Sequence, residues 1–81
     1  MPYNRKAFGI VVSTLRVQKG LTQESLSGLA GIARSHLAAL EKGEKVAKID
    51  TVWRIAEALG VDPSELVRET EQEGQKEGEG R

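Results

Sequence analysis

Residues 21–43 have the sequence LTQESLSGLAGIARSHLAALEKG, and this stretch predicts two short helices joined by a tight turn. Thr22 can cap the first helix, because its hydroxyl can accept a hydrogen bond from one of the free backbone N–H groups. Gly31 can end that helix, since a residue without a Cβ adopts a positive φ at no steric cost. The apolar positions that follow the cap at helical spacing are Leu26, Leu29 and Ala30.

A second helix is predicted from Ala33 or Arg34 to Lys42, with Gly43 as its stop signal. The side chains expected to face inward are those of Ile32 in the turn, Leu37 and Leu40. Those expected to face outward, at the N-terminal end of the helix, are Arg34, Ser35 and His36. Polar and basic groups at this end are typical of a recognition helix, which enters the DNA major groove by its N-terminal residues.

The segment before this stretch predicts another helix. Asn4 is a suitable N-cap, and Gly20 supplies a stop after Lys19. The buried stripe comprises Phe8, Val12 and Leu15. Three more apolar residues widen it, namely Ile10, Val11 and Val17. The helix is therefore either deeply packed or partly covered by another subunit.

The segment after residue 43 predicts two more helices. One runs from Lys48 or Ile49 to Leu59. Asp62 and Pro63 then start the last helix, as its N-cap and its first helical residue. The side chains expected to face inward are Ile49, Val52, Ile55, Ala56 and Leu59 in the fourth helix and Leu66 and Val67 in the fifth.

Residues 69–81 contain no apolar side chain, so we expect this acidic tail to be disordered. No alternating pattern of a strand and no internal repeat is present. The sequence therefore predicts an all-α fold, a compact five-helix bundle formed by residues 1–68 and followed by the tail.

The length of 81 residues limits the chain to one domain. A domain of this size buries only about 60% of its unfolded surface, so dimerisation would add stability. The absence of cysteine excludes disulfides and thiolate metal sites and fits a reducing cytoplasm. No apolar run approaches the roughly 20 residues that span a bilayer. We expect a cytoplasmic protein without a membrane segment, cofactor, metal or small-molecule ligand.

The net charge of zero hides two unlike regions. Residues 1–68 carry ten Lys and Arg against seven Asp and Glu, a balance of +3, whereas residues 69–81 carry five Glu against Lys76 and Arg81, a balance of −3. The sign of the net charge of residues 1–68 governs how this region interacts with phosphates. Its charge is below that of a strongly basic nucleic-acid-binding domain, so charge alone does not establish DNA binding.

Three pieces of the chain resemble the phage-repressor-like helix-turn-helix family, also called the xenobiotic-response-element family. They are LRVQKGLTQESLSGLAGI at 15–32, ALEKG at 39–43 and IDTVWRIAEALGVDP at 49–63. Their order and spacing extend the resemblance over about three quarters of the chain. It implies a lambda-repressor-like DNA-binding domain, and the small size is similar to that of restriction-modification controllers, small phage repressors and antitoxin-type regulators.

The resemblance also implies roles for individual residues. The positions that read base edges are Ala33, Arg34, Ser35 and Ala39, and those expected to contact phosphates are Gln23, His36 and Lys42. Gln23 is also expected to brace the recognition helix. Ala39 replaces the long polar residue of some members, which leaves base readout mainly to Arg34. For Arg34 the alternatives are a phosphate contact or a solvated surface position; for His36 the alternative is an exposed helix position.

Two further groups of residues are assigned with alternatives. Lys45 and Lys48 join Lys42 in a cluster that either follows the phosphates or is a solvated face. Lys48 also stands where a Ser or Thr cap is common in the family. The resemblance places an internal ion pair at Arg16 and Glu41, between the first helix and the end of the recognition helix.

Trp53 is the single tryptophan and is expected either in the core or, with Leu66 and Val67, at a two-fold interface. We therefore predict a sequence-specific transcriptional regulator that binds a pseudo-palindromic DNA operator as a homodimer. The alternative is an antitoxin or adaptor module of the same fold, in which DNA binding is secondary. An enzyme is not expected, because the sequence shows no catalytic acid–base pair, no glycine-rich phosphate loop and no metal-ligand cluster.

Overall fold

The computed structural model describes residues 3–79, which form five α-helices without a strand. The helices are α1 Arg5–Gln18, α2 Gln23–Ala30, α3 Arg34–Glu41, α4 Ile49–Leu59 and α5 Pro63–Glu79. The predicted all-α class and the number of helices are confirmed. Over this range no helix combines the length and the apolar character that crossing a bilayer requires.

The predicted caps set the limits of the first two helices. Asn4 Oδ1 accepts a hydrogen bond from the backbone N–H of Ala7 at 3.0 Å, and Thr22 Oγ1 accepts one from that of Ser25 at 3.0 Å. Gly31, with a φ of 71°, ends α2 in the left-handed conformation. These local signals confine the turn between α2 and α3 to three residues, 31–33.

The core lies where α1 packs against α3, α4 and α5, while α2 packs against α3 and α4. Its largest fully buried side chains are Phe8, Val12, Leu26, Leu37, Leu40, Ile55, Leu59 and Leu66. Ile32 packs against this core from the turn, as expected. The core therefore holds α2 and α3 by their inner faces.

Gly9 lets α1 approach the end of α3 very closely. A Cβ at this position would lie 2.5 Å from the carbonyl oxygen of Leu40 and would overlap that of Glu41. Carbonyl oxygens of a helix cannot move aside without disturbing its hydrogen bonds. The absence of a side chain at residue 9 is thus what brings the two helices together here.

Two residues that were predicted to face inward, Ile49 and Val67, are exposed, and these predictions were wrong; Leu29, an apolar residue at helical spacing in α2, is exposed as well. Leu29 and Ile49 are 65% and 68% exposed, and Val67 is 53% exposed. In α2 the small Ser27, rather than Leu29, completes the buried face beside Leu26. Helical spacing predicts a stripe, but which flank of the stripe is covered depends on the neighbouring helices.

The prediction of a disordered segment from residue 69 was also wrong for the residues described, because α5 continues as a helix to Glu79. Thr70 is buried, with its hydroxyl donating to the carbonyl oxygen of Leu66 at 2.8 Å. Gly74 is buried against Asn4 and Ala7. Small residues spaced by four thus form a seam that packs on α1 without large apolar side chains. The proposed boundary after residue 68 falls inside this helix, and residues 80 and 81 lie outside the described range.

We expect Gly9→Ala to lower the free energy of unfolding by about 1–3 kcal/mol, because the new methyl group would overpack the contact between α1 and α3. Urea denaturation measures this change. Gly28→Ala is the matched control: it adds a Cβ to another helical glycine, where no neighbour lies within 4 Å. It should raise stability by roughly 0.4–1 kcal/mol through the unfolded state. Equal effects of both substitutions would contradict the close contact.

Candidate nucleic-acid interface

The N-terminal end of α3 faces solvent, and the rest of the helix is anchored in the core. Leu37 and Leu40 are fully buried on its inner face. Arg34 and Ser35 are exposed, and His36 is partly buried. Among the residues described, none of these three polar side chains takes part in a hydrogen bond or ion pair, so their donors are available to a ligand.

The positions assigned to apolar base contact flank this group. Ala33 is exposed and precedes α3 in an extended conformation, with φ −67° and ψ 142°. Ala39 is half-buried, one turn after Ser35. Each of these two side chains is a single methyl group. The longest polar group on the outer face of α3 is therefore the guanidinium of Arg34.

An ion pair fixes the other end of α3. Arg16 Nε lies 2.7 Å from Glu41 Oε2, and Arg16 Nη2 donates to Glu41 Oε1 at 3.0 Å. The two side chains are only 16% and 6% exposed. Two parallel bonds between a guanidinium and a carboxylate are among the stronger polar contacts in proteins. The structure thus contains the ion pair expected between α1 and the end of α3.

The same carboxylate also reaches α2. Gln23 Nε2 donates to Glu41 Oε1 at 3.0 Å, and Arg16 Nη1 donates to the backbone carbonyl of Leu21 at 2.9 Å. Hydrogen bonding to Glu41 raises the pKa of the Arg16 guanidinium, outweighing the opposing effect of burial, so this group stays charged. Gln23 therefore braces the end of α3, and its amide keeps a second N–H for another acceptor.

The predicted basic cluster follows α3. Lys42 caps the C-terminal end of α3, and Lys45 lies in the loop to α4; both are exposed. Lys48 is the N-cap of α4 and makes no side-chain capping bond, since an ammonium group cannot accept one. Glu44 is exposed in the same loop and reduces its positive charge.

The candidates for a dimer interface divide into two groups. Trp53 is 53% exposed, and Ile49 precedes it by one turn on the same flank of α4. Val67 is exposed on α5, whereas Leu66 is completely buried. The assignment of Leu66 to an interface was wrong, because its side chain belongs to the core of one protomer. The exposed residues Ile49 and Trp53 form the α4 apolar patch.

Sequence reasoning missed Arg54. Its Nη1 donates to the backbone carbonyl of Gly31 in a long hydrogen bond of 3.4 Å. The contact ties α4 to the turn between α2 and α3. No spacing pattern indicates it, because the two residues are 23 positions apart and meet only through the packing of α2 on α4.

Comparisons with known proteins agree with this geometry. A helix-turn-helix family model matches residues 12–66. The chain is 38% identical over 68 residues to the uncharacterized HTH-type transcriptional regulator y4dJ of Sinorhizobium fredii, an alignment that covers 84% of this chain and 88% of the relative. It superposes on the restriction-modification controller protein C.AhdI of Aeromonas hydrophila with a TM-score of 0.75 and 35% identity, over 76% of this chain and 94% of that one.

Another similar structure is that of the controller protein C.Esp1396I, a tetramer in complex with its natural 35 base-pair operator. The superposition has a TM-score of 0.80 and covers 90% of this chain and 96% of that one. With 20% identity, this similarity shows the shared fold alone.

Arg16→Ala should lower the free energy of unfolding by about 3–5 kcal/mol, because it removes the counter-ion of a buried carboxylate. Thermal and urea denaturation measure the loss. We expect Arg16→Met combined with Glu41→Leu to be less destabilised than Arg16→Ala, since no unpaired charge remains.

Arg54→Ala is the control for the loss of an arginine. Arg54 is exposed, and within the described part of the chain its side chain makes only the long bond to Gly31, so its removal should change stability by no more than about 0.5 kcal/mol. An unchanged melting temperature in Arg16→Ala would show that the ion pair does not hold α3.

Proposed function

The chain belongs to the helix-turn-helix family of DNA-binding transcriptional regulators, and on that premise we propose that it recognises a specific operator by placing α3 in the major groove. The observation that carries the proposal is the unpaired, exposed Arg34 at the leading end of a helix that is anchored elsewhere. A rigid helix presents such a side chain to a groove without a large loss of conformational freedom on binding.

Arg34 is the main base-reading residue in this proposal. Its guanidinium can donate two parallel hydrogen bonds to O6 and N7 of guanine, a contact worth roughly 1–3 kcal/mol of discrimination. Ser35 can donate to or accept from either base of a pair. The methyl groups of Ala33 and Ala39 suit contact with the methyl group of thymine. Recognition thus combines one strong directional contact with weaker apolar ones.

The residues around this centre are proposed to bind the DNA backbone. They are Gln23 of α2, His36 of α3 and the lysines of the following segment, Lys42, Lys45 and Lys48. Gln23 is suited to this role because the bond to Glu41 occupies one of its two amide N–H groups and orients the other. Phosphate contacts fix the register of a protein on the duplex without reading its sequence.

We further propose that the regulator acts as a homodimer on a pseudo-palindrome. The α4 apolar patch supports this, because a half-exposed tryptophan beside an exposed isoleucine is costly in water and typical of interfaces. Val67 can extend the interface from α5. A two-fold pair of domains would then read two half-sites about one helical turn apart, roughly 34 Å.

We predict that Arg34→Ala removes discrimination at one base pair of each half-site. Selection from a random duplex library would recover a palindrome with the parent protein and a degenerate position with the variant. Affinity for the parent site should fall about 30-fold or more, since roughly 1–3 kcal/mol is lost in each of the two half-sites. Lys45→Ala is the control, because a phosphate contact should weaken binding to every sequence alike.

The same experiment separates the regulator from the adaptor alternative. An adaptor or antitoxin role is favoured if the parent protein selects no sequence and binds DNA only weakly. That weak affinity should then be lost between about 50 and 200 mM salt, as it is for non-specific phosphate contacts. A recovered palindrome that Arg34→Ala leaves unchanged would contradict the assignment of Arg34 alone.

Trp53→Lys should convert the dimer to a monomer, because it places two like charges across the two-fold axis and removes the largest exposed apolar side chain. Sedimentation velocity measures the change, and circular dichroism checks that the helices are retained. Val17→Lys is the matched control, since Val17 is 65% exposed and lies on α1 rather than α4. A monomeric parent protein, or a dimer that survives Trp53→Lys, would contradict this interface.

A further inference from the structure

Arg5 and Lys6 occupy positions that are unfavourable for helix stability. They form the first turn of α1, which contains no acidic residue, and both side chains are exposed. The N-terminal end of a helix carries a partial positive charge, so cations are repelled there and carboxylates are favoured. Residues that break a local rule of this kind are often retained for binding.

The first turn of α1 lies against the segment that follows the recognition helix. A Cβ built on Gly43 would lie 3.0 Å from Lys6 Cα and 2.9 Å from its Cγ. Partial burial raises the pKa of the Tyr3 phenol, and a hydrogen bond with the backbone of Ala47 opposes that rise. The loop that carries Lys45 therefore lies on one side of the first turn of α1, while Gly74 of α5 lies on another side, against Asn4 and Ala7.

Over residues 3–76, whose side chains are described, neither Arg5 nor Lys6 forms an ion pair. Glu41 forms its ion pair with Arg16, and Glu44 is the one acidic residue of the loop after α3. The start of α1 thus extends the lysine cluster of that loop into a larger exposed positive surface.

We propose that Arg5 and Lys6 form a second phosphate-binding patch, the α1 patch, which binds the DNA backbone next to the half-site that α3 contacts. This inference rests on the proposed function, because it needs α3 and its loop to lie on DNA. A duplex fits this surface by charge and by continuity with the proposed interface. The α1 patch makes no base contact, so it adds affinity and salt dependence without adding specificity.

The test is the salt dependence of binding to a random-sequence duplex. Neutralising both residues in Arg5→Gln/Lys6→Gln should reduce the slope of log K against log salt by about 1.8 per protomer, since each lost phosphate contact changes it by about 0.9. The melting temperature should stay the same or rise, because repulsion from the helix dipole is removed. The charge-conserving variant Arg5→Lys/Lys6→Arg should keep the parent slope.

Arg68→Gln/Lys76→Gln is the matched control. It removes the same charge from exposed positions on α5, which packs on α1 and α4, and should leave the slope near that of the parent. If the Arg5→Gln/Lys6→Gln variant has the same salt slope as the parent protein, the α1 patch is overturned. It is also overturned if the variant loses affinity uniformly and has a lower melting temperature. The proposed function is tested separately, by selection from the random duplex library and by Arg34→Ala. If the parent protein binds no duplex at all, it is the proposed function that is contradicted.

Discussion

The carboxylate of Glu41 is the contact on which the arrangement of the first three helices depends. It is nearly buried, and a buried charge is tolerated only when it is paired and hydrogen-bonded. Arg16 and Gln23 meet this requirement from α1 and α2, so the chain cannot satisfy Glu41 without bringing three helices to one point. The missing side chain of Gly9 allows the backbones to come close enough for this geometry.

The ends of the helices were predictable from the sequence because their signals are local. Asn4 and Thr22 cap the turns that begin beside them, and Gly31 adopts the left-handed conformation that ends α2. The exposure of Leu29 and Ile49 was not predictable, because it depends on which neighbour covers each flank. The helix after residue 69 was missed for a related reason: Thr70 and Gly74 pack through small size, which a count of apolar residues does not detect.

The candidate site was predictable only in part. The outward position of Arg34 follows from helical spacing, whereas the pairing of Arg16 with Glu41 spans 25 residues and came from family resemblance alone. The bond from Arg54 to Gly31 had no signal in the sequence. The unfavourable charges of Arg5 and Lys6 are visible in the sequence, but the contact of Lys6 with the loop after α3 is a property of the tertiary structure.

The packing of α5 fixes acidic side chains along one side of α1. The Thr70 and Gly74 seam holds α5 on α1, so Glu69 and Glu73 stay fixed beside Thr14 and Gln18 instead of moving freely in solution. Carboxylates fixed in this way repel a polyanion, so they disfavour its approach along this side of the molecule before any contact is made.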